Sequence, residues 1–283
     1  MLTLLHISDL HFGPPYVPAV GEALLRAAGK LQADVIVASG DFTQRAKERQ
    51  FADARAFLDR LPRRPLVVVP GNHDIPLYRV RERLFRPYAL YRQYVSLELD
   101  TVLRHDGAVI VALNTTNPLR AVTNGRIERW QLEFCARAFA DTPTGTIKIV
   151  VAHHHFAPAP DYDSDSDVMP RAKEALDRFT DLGVDLILGG HLHRAYIGNS
   201  LDVYPSKDRS GGIIIVQCGT TTSQRGRARE REMNSFNLIQ VDDELVHVTH
   251  YMHFHELDNF APVSRHIFPR RSRHYFTDHP GRD

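Results

Sequence analysis

Seven short apolar runs, rich in Val, Ile and Leu, recur along the chain and constrain its fold more than any other feature. They are "LTLLHIS" (2–8), "DVIVASG" (34–40), "PLVVVPG" (65–71), "AVIVALN" (108–114), "TIKIVVAH" (146–153), "VDLILGG" (184–190) and "GIIIVQCG" (212–219). Their near-continuous hydrophobicity predicts strands covered on both faces of a sheet. Between them, 20–31, 46–61, 79–94, 127–139 and 170–182 carry apolar residues at helical spacing, the last opening on Pro170, which suits a first helical turn. Strands alternating with helices predict an α/β architecture. The end of the chain differs. Residues 234–254 alternate around "DDE" like a hairpin, and "HDG" (105–107) turns a second hairpin between 95–104 and 108–114.

With 283 residues the chain has room for a sizeable core. The expected organisation is one domain over 1–258 and a partly ordered extension over 259–283. Phe260, Ile267, Phe268, Tyr275 and Phe276 give that extension too many apolar residues for a pure linker. Residues 158–168 and 223–234 read as mobile loops. A formal net charge of +1 gives no push toward a nucleic acid polymer or an acidic membrane. No apolar stretch is as long as a membrane span, and the N-terminus lacks a basic region and a cleavage site. Cys135 and Cys218 lie far apart in apolar contexts, as buried thiols in a reducing compartment do. A cytoplasmic location is the expectation.

In the parallel part of an α/β sheet, functional side chains gather beyond the carboxyl ends of the strands. Five of the seven runs end in metal-type ligands. The first gives "SDLH", with Asp9 and His11, and the second gives "GD", with Asp41. The third gives "GNHD", with Asn72, His73 and Asp74. The fifth gives His153, His154 and His155, and the sixth gives "GGHLH", with His191 and His193. Residues i and i+2 of an extended segment point the same way, so Asp9 with His11, and His191 with His193, each offer two ligands to one place. Carboxylate, imidazole and amide oxygen without thiolate suit Mn, Fe or Zn better than a structural Cys-type zinc site. The set exceeds what one tetrahedral ion needs. Two ions sharing a carboxylate would use it all, and paired metals serve hydrolysis at phosphorus.

DxH, GD, GNHD, a strand-end His and GHxH, in that order over residues 9–193, resemble the calcineurin-like metallophosphoesterases. A lone "GD" carries nothing; five blocks in order, each after a strand-like run, are specific. The resemblance implies a four-layer β-sandwich of two mixed sheets flanked by helices. It implies that Asp9, His11 and His193 hold one metal, that Asn72, His153 and His191 hold a second, and that Asp41 bridges them. A hydroxide between the ions would attack phosphorus in line with the leaving oxygen. His73 matches a non-ligand histidine that stabilises phosphoryl charge or protonates the leaving group, with Asp74 orienting it. The chain departs from the family at His153-His154-His155, where His-His-Pro is common. Aligning His155 and Phe156 with a Pro-Phe pair makes His153 the ligand; a slip of one residue makes it His154, whose side chain points oppositely on an extended segment.

The stretch "LNTTNPLRAVTNGRIERWQLEF" (113–134) resembles a segment after the fourth core strand of bacterial class III cyclic-nucleotide phosphodiesterases. The expectation is therefore phosphodiester hydrolysis on a small molecule, with a 3′,5′-cyclic nucleotide as candidate substrate. A phosphatase or pyrophosphohydrolase acting on a nucleotide-sugar or lipid-like phosphoester is the alternative. A non-catalytic scaffold of the same fold is more remote, because such scaffolds should lose ligands and every ligand type is kept here. A homodimer is compatible with the reading. Asn114 and His154 are candidate substrate contacts, though a turn explains Asn114 better.

The remaining histidines read as surface or sheet-face residues. His250, His253 and His255 mimic a metal cluster but fit a sheet face or edge better. The acidic "DYDSDSD" (161–167) lacks the glycine and terminal glutamate of a calcium loop. The arginines of 225–231 alternate with Glu230 and Glu232 and make a poor nucleic-acid patch. Trp130 is expected to pack from a helix onto a sheet.

Overall fold

A computed structural model describes residues 1–119, 124–158, 168–204, 212–227 and 230–270. All seven apolar runs form strands: β1 (Leu2–Ile7), β2 (Val35–Ala38), β3 (Leu66–Val68), β5 (Ala108–Leu113), β6 (Ile147–Ala152), β7 (Leu186–Gly189) and β9 (Ile214–Gln217). The hairpin partners follow as β4 (Thr101–His105), β10 (Ser235–Val241) and β11 (Leu245–Phe254). Two edge strands were not foreseen, β8 (Tyr196–Asn199) and β12 (Asn259–Pro269). They lie in two six-stranded mixed sheets, ordered β12-β11-β10-β1-β2-β3 and β4-β5-β6-β7-β9-β8. β1, β2 and β3 run parallel, as do β5, β6, β7 and β9; β4, β8, β10, β11 and β12 join by antiparallel pairing.

Strand alternation explains the unbroken hydrophobicity. In β1, Leu2 and Leu4 face the core between the sheets, while Leu5 and Ile7 face the helices outside. In β5, Ile110 faces inward between the sheets, while Val109 and Val111 face the opposite helical layer. Helices α1 (Pro18–Leu31) and α2 (Glu48–Leu58) cover the first sheet, and α5 (Arg129–Phe139) and α6 (Ala172–Asp181) cover the second. The result is four layers with a continuous core between the sheets. Each side chain buried there contributes roughly 1.5–3 kcal/mol.

The helix expected over 79–94 is two helices, α3 (Val80–Phe85) and α4 (Ala89–Tyr94). Pro87 has no amide hydrogen and disfavours helical geometry at Arg86, so the pattern breaks there. Trp130 does not pack onto the sheet. It is 55% exposed, because Leu132, Cys135 and Phe139 already occupy the inner face of α5. The stretch after β9 is packed, not loose: Glu230 and Asn234 are buried, and Ser223 bridges to Tyr16. Residues 228–229 and 159–167, which take in the whole acidic stretch, lie outside the described residues. So do 271–283, including Tyr275 and Phe276. Beyond β12, Arg270 is buried and forks onto Asp185 at 3.2 and 3.4 Å, tying this edge strand to the second sheet. Cys135 and Cys218 are free and buried. Among the described residues no helix is long and apolar enough to cross a membrane.

Candidate metal centre

The parallel strands of both sheets point their carboxyl ends to one edge of the sandwich. Backbone bonds lace the loops together there. Asp9 N–H donates to Gly40 O, His11 N–H to Asp41 O, Gly190 N–H to His153 O and Thr221 N–H to Ser8 O. Five residues at this edge, Asp9, His11, Asp41, His191 and His193, adopt left-handed backbone with φ between 51° and 74°. Left-handed geometry is uncommon outside glycine, is best tolerated by Asp, Asn and His, and clusters at functional sites. Gly71 approaches Asp41 closely. A Cβ there would overlap the Asp41 Oδ1 and backbone nitrogen, so only glycine lets the "GNHD" turn lie against Asp41.

The side chains converge. His193 Nε2 is 3.1 Å from Asp9 Oδ1 and 3.1 Å from His11 Nε2, and His11 Nε2 is 3.6 Å from Asp41 Oδ2. On the other side of Asp41, His153 Nε2 is 3.5 Å from Oδ2. Asn72 Oδ1 is 3.2 Å from His153 Nε2 and 3.0 Å from His191 Nδ1. Each carboxylate has one oxygen anchored and one left over. Asp9 Oδ2 accepts from the Ser8 hydroxyl and the His191 N–H, while Oδ1 has no aligned donor. Asp41 Oδ1 accepts from the His73 N–H at 2.8 Å, while Oδ2 has no aligned donor. A buried carboxylate oxygen without a donor is costly, and here both face imidazole nitrogens. That donor chemistry fits divalent cations.

The imidazoles are set up accordingly. His153 Nδ1 donates to Ser39 O and His193 Nδ1 to Arg225 O, which turns each Nε2 toward the carboxylates. Burial pushes His11 down to about 4 and holds His191 well below the usual histidine range, so both rings are neutral and able to ligate. Burial lowers His153 too, but the facing Asp41 and Asp9 charges outweigh it and hold it up at about 9. Burial opposes ionisation of Asp9, yet His193 and His11 hold its carboxyl well below the ordinary value.

His153 and His154 diverge, as strand alternation requires; their rings stand 5.0 Å apart at 85°. His153 faces Asp41 and Asn72. His154 bonds Thr115 Oγ1 at 2.8 Å through Nδ1, and its Nε2 is unpartnered. Both nevertheless fall with His191 into one group close enough to hold an ion; the second such group is Asp9, His11, Asp41 and His193. His250, His253 and His255 form no such group among the described residues. His155 is buried, its ring 5.8 Å from that of His191.

His73 lies beside His11 with ring centroids 4.9 Å apart, and its Nδ1 donates to Gln44 O at 2.9 Å. Asp74 does not orient it, contrary to the sequence expectation. The Asp74 carboxylate accepts instead from the N–H groups of Phe42, Thr43 and Gly71 and from the Thr43 hydroxyl. In a tight 3-10 turn, Asn72–Asp74, neighbouring side chains point apart, so Asp74 ties the "GNHD" turn to the "GD" turn. Asn114 is not free for substrate: its Oδ1 accepts from Thr116 and its Nδ2 donates to Tyr88. Ser8, Gln44 and Arg225 are contributors to which the sequence reading gave no role in the site. They follow strand runs too, but carry no metal-ligand signature; only their position beyond a strand end could have marked them.

Solved structures share the fold. A purple acid phosphatase from yellow lupin (Lupinus luteus) seeds, PPD1, superposes with a TM-score of 0.68 at 13% identity, covering 95% of this chain and 54% of that one. The structure titled PhoD gives 0.70 at 12% identity, covering 96% of this chain and 70% of that one. GAP50, described as the anchor in the inner membrane complex of Plasmodium, gives 0.60 at 11% identity, covering 95% and 89%. The chain thus spans about half the length of the lupin protein. No curated protein matches by sequence. The family model described as calcineurin-like phosphoesterase matches residues 2–195, which takes in all five candidate ligand blocks and every parallel strand except β9, and the chain belongs to that family.

Proposed function

We propose that the chain hydrolyses a phosphodiester bond in a small molecule, with a 3′,5′-cyclic nucleotide as candidate substrate. Asp9, His11 and His193 would hold one ion and Asn72, His153 and His191 a second, with Asp41 shared. Mn, Fe or Zn suits this donor set. Such a pair, when bound, polarises phosphoryl oxygens and makes water more acidic. The observation that carries the reading is the Asp41 carboxylate. One oxygen is pinned by the His73 N–H, while the other is buried without a donor and stands 3.6 and 3.5 Å from imidazole nitrogens of the two sets.

The chain's own groups divide the remaining work. The bond from His73 Nδ1 to the Gln44 carbonyl presents Nε2 outward, where a proton can pass to the leaving oxygen. Asp74 holds the two turns that carry Asp41 and Asn72. His153 is the ligand of the histidine run because it faces Asp41, while His154 braces the wall. That wall is built from residues 113–119 and 124–134, the described parts of the segment whose likeness points to phosphodiesters. Gly125 sits against the His154 ring, and Gln131 bonds Asn114 O and Asp100. The deciding experiment is a panel of cyclic nucleotides, pyrophosphates and monoesters assayed with Mn on wild type and His73→Ala. Turnover of diesters that the variant loses supports the reading; turnover of pyrophosphates or monoesters alone rejects it.

A further inference from the structure

Beside the metal centre lies a cation that none of the roles above uses. Arg225 follows β9 on the loop that closes over the carboxyl edge. Its backbone carbonyl accepts from His193 Nδ1 at 3.0 Å, and Arg227 N–H donates to His193 O at 3.0 Å, so the loop is clasped to the "GHLH" turn. The Arg225 guanidinium is half-buried. Its one side-chain bond among the described residues runs from Nη1 to Gln44 Oε1 at 3.0 Å. Gln44 is also the residue whose backbone carbonyl fixes His73. One residue therefore positions both the histidine and the guanidinium. Burial disfavours the charge on Arg225, and the facing carboxylates of Asp41 and Asp9 support it. No carboxylate among the described residues lies within ion-pair distance of it.

We propose that Arg225 forms, with His73, an anion subsite that grips a phosphoryl oxygen of the bound phosphoester. A guanidinium has five donors in a planar fork, and Gln44 takes one, leaving an edge suited to two oxygens of a phosphoryl group. The charge count agrees. The proposed ligands include two carboxylates, so two divalent cations leave the centre net positive, and Arg225 adds to that. An arginine held in such a place without a carboxylate partner is stabilised by an incoming anion. The ligand class is a phosphoryl group with free oxygens, whether a substrate phosphoester or product phosphate. The proposal rests on the two-metal reading.

The test uses inorganic phosphate as probe and binding as readout. Calorimetric titration of Mn-loaded protein is compared for wild type, Arg225→Lys and Arg225→Met, with metal content measured on each. The His193 bond uses the Arg225 backbone carbonyl, so these variants keep it. The expected result is unchanged metal content, phosphate binding weakened at least tenfold in Arg225→Met, and a smaller loss in Arg225→Lys. Added guanidinium should restore phosphate binding to Arg225→Ala, which a purely structural role would not allow. Wild-type phosphate affinity in Arg225→Met overturns the subsite, as does loss of metal from both Lys and Met variants. Arg225-dependent phosphate binding by a wild type that hydrolyses no ester keeps the subsite and sinks the hydrolase reading. Hydrolysis with Arg225-independent phosphate binding does the reverse.

Discussion

On the proposed two-metal reading Asp41 is shared and Asn72 is not, so the two residues should respond differently to loss. Asp41 Oδ2 lies 3.6 Å from His11 of the first proposed set and 3.5 Å from His153 of the second, whose Asn72 meets His153 and His191. A metal present at a hundred times its dissociation constant stabilises the fold by about 2.7 kcal/mol per site, so two sites give roughly 5 kcal/mol. At about 2–4 °C per kcal/mol for a chain of this size class, saturating Mn should raise Tm by roughly 10–20 °C. Asp41→Asn keeps the shape and removes a charge near both ions. One unit-charge interaction at about 4 Å is worth on the order of 4 kcal/mol at an effective dielectric constant near 20. Even a hundredfold weakening would cut each increment to about 0.4 kcal/mol. Asn72→Ala should lose only one of the two increments. The assay is thermal unfolding of metal-free protein, with and without Mn, for the three proteins. A full Mn increment in Asp41→Asn, or equal losses in both variants, would refute the shared-carboxylate geometry.

Other consequences are simpler to state. His73→Ala should retain both metals by elemental analysis and lose roughly 10²–10⁴ in turnover, as removal of a general acid does; unchanged turnover removes its role. Gly71→Ala should abolish the Mn-dependent rise in Tm, because its Cβ overlaps Asp41. Gly29→Ala is the control: it lies within α1, nothing lies within 4 Å of its Cβ, and it should stabilise by about 0.5–1 kcal/mol in denaturant titration. Arg270→Ala should cost about 3–5 kcal/mol by stranding the buried Asp185, and removing both partners should cost less.

The interior strands were legible because each is buried on both faces, so its sequence is an unbroken apolar run. The edge strands β8 and β12 were not. Val263 and Ile267 are exposed, and β12 mixes Pro, Arg and His, so its pairing with β11 leaves little hydrophobic trace. The His/Asp blocks that converge at the strand ends were readable because candidate metal chemistry restricts residue types there. The arrangement around them was not. Asp74 serves three backbone amides rather than His73, and Gln44 acts partly through its carbonyl, which any residue carries. Arg225 is one arginine among several in its loop, and only folding sets it beside Asp41.

The most direct test is anomalous diffraction from crystals soaked in Mn. The account predicts two peaks roughly 3.5–4 Å apart on either side of Asp41 Oδ2, one reached by Asp9, His11 and His193 and the other by Asn72, His153 and His191. A single peak, or a pair that the Asp41 carboxylate does not touch, would contradict it.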